Sequence, residues 1–278
     1  MIGQNLIREK IQKNKDEGTL PHFLIIVGAK GSGKKTLLKE MFDGVYPENI
    51  KVESIRKLRD MAQQMHDTTF IMPDVDTMSG AAKSALLKMV EECPNGNYFI
   101  MTVVDINNAS PTLRSRAFVY RMGVYTPDDI AEYIETTFHP TEKDAEKVEL
   151  IHRLAETPGE VNMLWSYDTQ AFYDFTKLAF EHISTVGGAN AFKIADRLSM
   201  KDDDGKYDIT LFLKQFSQLC IDQVHNHNTG DLEDIGYIVK YSQGCSIASK
   251  YIKKSRIAGI NKQFLIDSWI LEMRRVWR

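Results

Sequence analysis

Short, wholly apolar runs alternate along this chain with longer stretches in which apolar residues recur every three or four positions. That rhythm predicts strands and helices in turn. The first run, Phe23-Leu-Ile-Ile-Val27, has no polar interruption, as a parallel strand buried on both faces requires. Thr69–Met72 and Tyr98–Val104 repeat the pattern, and Phe118–Met122 reads as a last short strand. Ahead of the first run, Ile7 and Ile11 lie one helical turn apart among charged residues, and Gly18 and Pro21 stop the helix. Between the second and third runs, Ser79 can cap a helix with an apolar face of Ala82, Leu86, Met89, Val90 and Cys93, ended by Pro94. Strands alternating with helices predict a parallel sheet sandwiched between helices, here over residues 1–122.

Beyond that point the strand pattern is gone. Thr126 can cap a helix with Pro127 in its first turn, and helical spacing continues to about Trp165, which predicts a small all-α unit over residues 123–165. Ile209–Val224 and Phe264–Trp277 are amphipathic, with polar breaks at Lys201–Gly205 and His225–Gly230. A helical bundle is expected over residues 166–278. The predicted fold class is therefore α/β plus all-α.

Composition narrows the function. With 43% hydrophobic and 26% charged residues and 8 prolines, the chain has the make-up of an ordinary globular protein. Its 35 Lys and Arg against 38 Asp and Glu give a net charge of -3, which excludes holding nucleic acid by bulk positive potential. Any DNA contact is expected to be local or shared with other chains. Cys93, Cys220 and Cys245 are far apart and form no CxxC pair, so neither a zinc ribbon nor a disulfide framework is expected. His225 and His227 are expected as exposed loop residues rather than ligands. No run approaches the roughly 18 apolar residues of a membrane span, and the N-terminal residues turn polar at once, so a cytoplasmic protein is expected.

The strongest chemical signal is Gly28-Ala-Lys-Gly-Ser-Gly-Lys34, set between a strand and a helix as a phosphate-binding loop must be. Gly28, Gly31 and Gly33 would let backbone N–H groups converge on phosphate, and Lys34 would reach its oxygens. The next residue should carry the hydroxyl that ligates magnesium, but it is Lys35; Thr36 comes one position late, rotated by roughly 100° around the helix. A plain strand-to-helix turn is the competing reading. The second apolar run ends in Pro73-Asp74-Val75-Asp76, where a hydrolysing site needs a metal-binding carboxylate followed by one that polarises water. Pro73 occupies the first place and Asp74 the second. Asp74 and Asp76 read equally well as solvated loop carboxylates.

Ile2-Gly3-Gln4, Pro21-His22, the phosphate loop, Val52–Arg56, Ser84–Pro94 and Pro111–Arg116 occur in an order and spacing that resemble bacterial clamp-loader subunits of the AAA+ class. The resemblance is to the gamma/tau/delta-prime family of DNA polymerase III, the delta-prime type in particular, and covers about the first 120 residues. It implies a P-loop AAA+ domain, a helical lid and a C-terminal helical collar. It also implies that Arg116, in Ser115-Arg116-Ala117, is an arginine finger offered in trans to a neighbouring subunit's nucleotide, with Arg114 as the fallback donor; a surface salt bridge is the alternative. Thr102 resembles the first sensor, or else is packing. Ser79, Gly80 and Lys83, at a helix N-terminus, are candidates for gripping DNA backbone, against a solvated capping turn.

The family's cysteine zinc module is missing, as is a nucleotide-sensing Arg in Glu156–Met163. The expected cofactors are ATP or ADP without magnesium, and no zinc. The resemblance implies as partners other clamp-loader subunits, a sliding clamp and primer-template DNA, and a largely non-hydrolysing role. Two rivals remain: an ATP-hydrolysing clamp-loader ATPase in which Thr36 and Asp74 replace the usual metal ligands, and a P-loop small-molecule kinase.

Overall fold

The computed structural model describes residues 2–92, 95–183, 194–198, 207–227, 234–257 and 259–277. Cys93, Pro94 and the break at residues 201–205 lie outside them. The chain divides into two compact units: residues 1–139 with 156–161, and residues 140–155 with 162–278.

The first unit is a four-stranded sheet, every strand parallel to its neighbours, in the order β2-β3-β1-β4. Its strands are β1 (Phe23–Val27), β2 (Thr69–Met72), β3 (Tyr98–Val103) and β4 (Phe118–Arg121). Successive side chains on a strand point to opposite faces. Phe23, Ile25 and Val27 therefore enter one core, with Ile55 and Leu58 of α3 (Val52–Gln64) and Leu86 and Met89 of α4 (Gly80–Glu92). Leu24 and Ile26 enter the other, against Ile7 and Ile11 of α1 (Asn5–Asp16) and Leu37 and Leu38 of α2 (Lys34–Met41). Covering both faces explains why β1 is apolar throughout. Each fully buried aliphatic side chain of this kind stabilises the fold by about 1.5–3 kcal/mol. The strand ends converge on one edge, where the loops after β1, β2 and β3 meet.

Short α5 (Pro111–Arg116) is capped by Ser110, whose hydroxyl accepts from the Leu113 N–H. After β4, Gln4 closes the unit: its amide donates to the Gly123 carbonyl at 3.1 Å and accepts from the Gly123 N–H at 2.8 Å. Helix α6 (Pro127–Phe138) begins in a capping box of Thr126 and Asp129, as the Thr-Pro start predicts.

The second unit is helical among its described residues. It contains α7 (Ala145–Leu154), most of α8 (Pro158–Ser166), α9 (Thr169–His182), α10 (Ile209–Asn226), α11 (Asp234–Ser255) and α12 (Lys262–Val276). Its core is aromatic. Trp269 stands edge-on to Phe212 and Phe216, with centroids 5.4 and 4.9 Å apart, and Phe172 meets Tyr207 at 4.9 Å. The expected polar break at 225 begins later: α10 continues through His225. His227 is not a free loop residue, because its ring packs 4.6 Å from Tyr237 and its Nδ1 lies 2.9 Å from the Gln223 carbonyl. Here packing against α11 overrode the polar composition. Among the described residues, no helix is long and apolar enough to cross a membrane.

Candidate functional site

The strand-end edge of the sheet brings the predicted loop, Asp74 and Thr102 together. The phosphate loop leaves β1, and Gly31 and Gly33 take left-handed backbone at φ +79° and +82°, a conformation glycine adopts without steric cost. Gly28 begins the turn, with its N–H donating to Val103 of β3. Lys34 is buried and does not point outward. Its ammonium donates to the carbonyls of Gly28 at 2.7 Å and Ala29 at 2.9 Å. Burial holds its pKa below the usual lysine range, against the opposing pull of the Asp74 and Asp76 carboxylates.

Lys35 crosses to the next loop, where its Nζ lies 2.7 Å from Asp74 Oδ2. Asp74 itself is one of the non-glycine residues at positive φ, +55°. It is held there from two sides: its N–H donates to the Thr102 hydroxyl at 2.9 Å, and its carbonyl accepts from Thr77 Oγ1 at 2.7 Å. Thr102 is fully buried on β3 and acts here by orienting the Asp74 backbone. Thr36 is exposed on the first turn of α2.

Asp76 is buried rather than solvated, only 8% exposed. One of its carboxylate oxygens accepts from the Val104 N–H at 3.0 Å, while the other has no protein partner. Sequence reading left it open between loop and catalytic carboxylate.

A contact that sequence reading missed covers the crest of the loop. The Gly159 N–H donates to the Gly31 carbonyl at 3.0 Å, and Thr157 Oγ1 lies 3.4 Å from the Lys30 carbonyl. The two glycines touch so closely that a Cβ built on Gly159 would lie 2.5 Å from Gly31 Cα. Nothing in the sequence pairs residues 31 and 159 except that both are glycines flanking helix starts.

The magnesium implied by an AAA+ loop does not fit these residues. Lys35 replaces the ligating hydroxyl and Pro73 the ligating carboxylate; of the two acids that remain, Asp74 is already paired with an ammonium, and Asp76 is buried with one oxygen taken by the Val104 N–H. Among the described residues, no cluster of three or more His, Cys, Asp or Glu side chains could hold a metal.

The other predicted residues are dispersed. Arg116, in the last turn of α5, has a half-exposed side chain whose Nη2 lies 3.0 Å from Glu91 of α4 and whose Nη1 donates to the Thr112 carbonyl. Arg114 donates to Asn107. Ser79 caps α4 by accepting from the Ala82 N–H at 3.2 Å, and Gly80 is exposed beside it. Lys83 turns back, with its ammonium 3.1 Å from the Asn108 carbonyl and 3.4 Å from that of Asp76. That turn therefore presents an N-terminal helix edge without a free lysine.

Residues 44–125 match the family described as "DNA polymerase III, delta subunit". A relative from Buchnera aphidicola subsp. Schizaphis graminum, "DNA polymerase III subunit delta'", is 32% identical over 87 residues, 31% of this chain and 26% of the relative. The same organism's "DNA polymerase III subunit gamma" is 20% identical over 171 residues, 49% of this chain and 47% of that protein. Over the matched stretches the chain is similar to the gamma and delta' subunits of DNA polymerase III. "Replication factor C subunit 3" of Saccharomyces cerevisiae matches at 26% identity over 140 residues, 44% of this chain and 41% of the relative. The chain thus spans less than half the length of each of these relatives. The matched family segment runs from the end of α2 to the start of α6, and so includes Asp74, Thr102 and Arg116 but not the phosphate loop.

Proposed function

We propose that this chain is a delta-prime-like clamp-loader subunit that does not hydrolyse ATP and serves the nucleotide of a neighbouring subunit. In this reading residues 1–122 form the AAA+ domain, 123–165 the lid and 166–278 a collar that assembles with sister subunits. The carrying observation is the Lys35–Asp74 ion pair, which puts a side-chain cation where turnover needs a metal. A nucleotide held at this loop would sit there without magnesium.

Arg116 is the trans donor. Its guanidinium is half exposed and held only at the surface, by Glu91 and the Thr112 carbonyl. Exchanging Glu91 for an incoming phosphate is a modest step, because an exposed ion pair contributes about 0–1 kcal/mol. A guanidinium beside a transferring phosphoryl group stabilises the charge that develops there, and this can raise turnover by about 10³–10⁵. The subunit would help a multi-subunit loader place a sliding clamp on primed DNA. Contact with DNA backbone would fall to the Ser79–Lys83 turn.

The test is a reconstituted loader with its partner subunits. Arg116→Ala should abolish clamp- and DNA-stimulated ATPase while leaving assembly intact, and the isolated wild-type chain should show no turnover with or without magnesium. Normal stimulated ATPase in the mutant would remove the finger. Magnesium-dependent hydrolysis by the isolated chain would favour the ATPase reading, and phosphoryl transfer to a small acceptor would favour the kinase.

A further inference from the structure

The helical unit holds a pair of cysteines that the sequence separates by 25 positions, from 220 to 245. Cys220 lies on α10 and is fully buried; Cys245 lies on α11 and is partly accessible. The two helices approach closely here because position 244 is glycine. A Cβ at Gly244 would lie 3.0 Å from Cys220 Sγ and 2.8 Å from the Trp277 ring. Cys245 Sγ sits 3.6 Å from the carbonyl of Ser217, one turn before Cys220 on the same face of α10. Each sulfur thus lies against the other's helix, Cys220 Sγ beside Gly244 and Cys245 Sγ beside Ser217.

From this juxtaposition we propose that Cys245 and Cys220 form a dithiol site that small disulfides of the glutathione type oxidise to an internal disulfide joining α10 to α11. Cys245 is the attacking sulfur, because it is the accessible one of the two. The Cys245 thiolate attacks one sulfur of the small disulfide, whose S–S bond breaks and releases one thiolate. That thiolate takes up a proton. Cys220 then loses its proton to solvent and attacks Cys245 Sγ, expelling the second small thiol. The sum is two protein thiols and one disulfide giving one protein disulfide and two small thiols.

The electrostatics run in the same direction. The neighbouring Cys220 thiol brings the Cys245 thiol down to about 7, against the opposing pull of burial. Cys245 beside it, and then burial, push the Cys220 thiol up. Tyr241 of α11 also faces Cys220, and burial raises its phenol above the usual range, so it stays neutral while Cys245 ionises.

The experiment exposes the full chain to oxidised glutathione and follows intact mass and linked peptides without reductant. Wild type should lose two hydrogens and yield a 220–245 linked peptide. Cys220→Ser should stop with one glutathione on Cys245, and Cys245→Ser should leave Cys220 unreacted. In parallel, iodoacetamide alkylation of Cys245 at pH 7 should slow by about tenfold in Cys220→Ala as its thiol returns toward an ordinary value of about 8.5. A lasting mixed disulfide on the wild-type chain, a link to Cys93, no reaction at all, or unchanged alkylation in Cys220→Ala would overturn the proposal.

Discussion

The α/β unit holds its cations in two opposite ways. At the phosphate loop, Lys34 is buried and committed to two carbonyls, and Lys35 bridges to Asp74 beyond the end of β2. At the far end of α5, Arg116 rests on the surface, with one carboxylate and one carbonyl as partners. A buried amine bonded on two sides is expensive to release, because its partners lose their donors with it. A surface pair costs little to break. The difference teaches that the buried lysine is committed to the loop's own architecture, whereas the arginine's partners are ones it can exchange at little cost.

The largest expected effect breaks the loop half of that comparison. Gly159→Val places side-chain atoms against the Gly31 backbone, which has no flexible end to yield. It should destabilise the chain by about 1–3 kcal/mol, read as a lower midpoint in urea unfolding. An unchanged midpoint would mean that residues 157–159 do not seat on the loop.

How much of this was readable beforehand follows the range of the interactions. The strands, the Ser79 and Thr126 caps and the loop itself are local patterns of a few residues, and they form where the pattern puts them. The Lys35–Asp74 bridge, the seat of Gly159 on Gly31 and the Cys220–Cys245 pair each join residues far apart in sequence. Periodicity carries no information on such pairs. Asp76 shows the same limit: its composition suits a solvated loop, and only the fold back onto Val104 makes it a buried acceptor. His227 was misread for that reason too, since the rings of Tyr237 and Tyr241 that cover it come from another helix.

A middle-sized effect tests the strained strand end. Thr102→Val keeps the shape but strips the acceptor from the part-buried Asp74 N–H, and should cost about 0.5–1.5 kcal/mol in the same unfolding measurement. A neutral result would place Thr102 in simple packing. The smallest effects sharpen the contrast itself. Lys35→Ala and Arg116→Ala each remove an exposed ion pair, and each should change the stability of the isolated chain by no more than about 1 kcal/mol, less still in high salt. A much larger loss for Arg116→Ala would show that arginine to be structural.

The amide of Gln4 has a consequence of another kind. It gives one hydrogen bond and takes one from the same residue, Gly123, and does so without carrying charge. A carboxylate or an amine in its place would make the joint answer to acidity and ionic strength. As built, the stretch that leads from the sheet into α6 keeps its anchorage in any buffer the rest of the protein tolerates, and Gln4→Glu would be the substitution that first makes it sensitive.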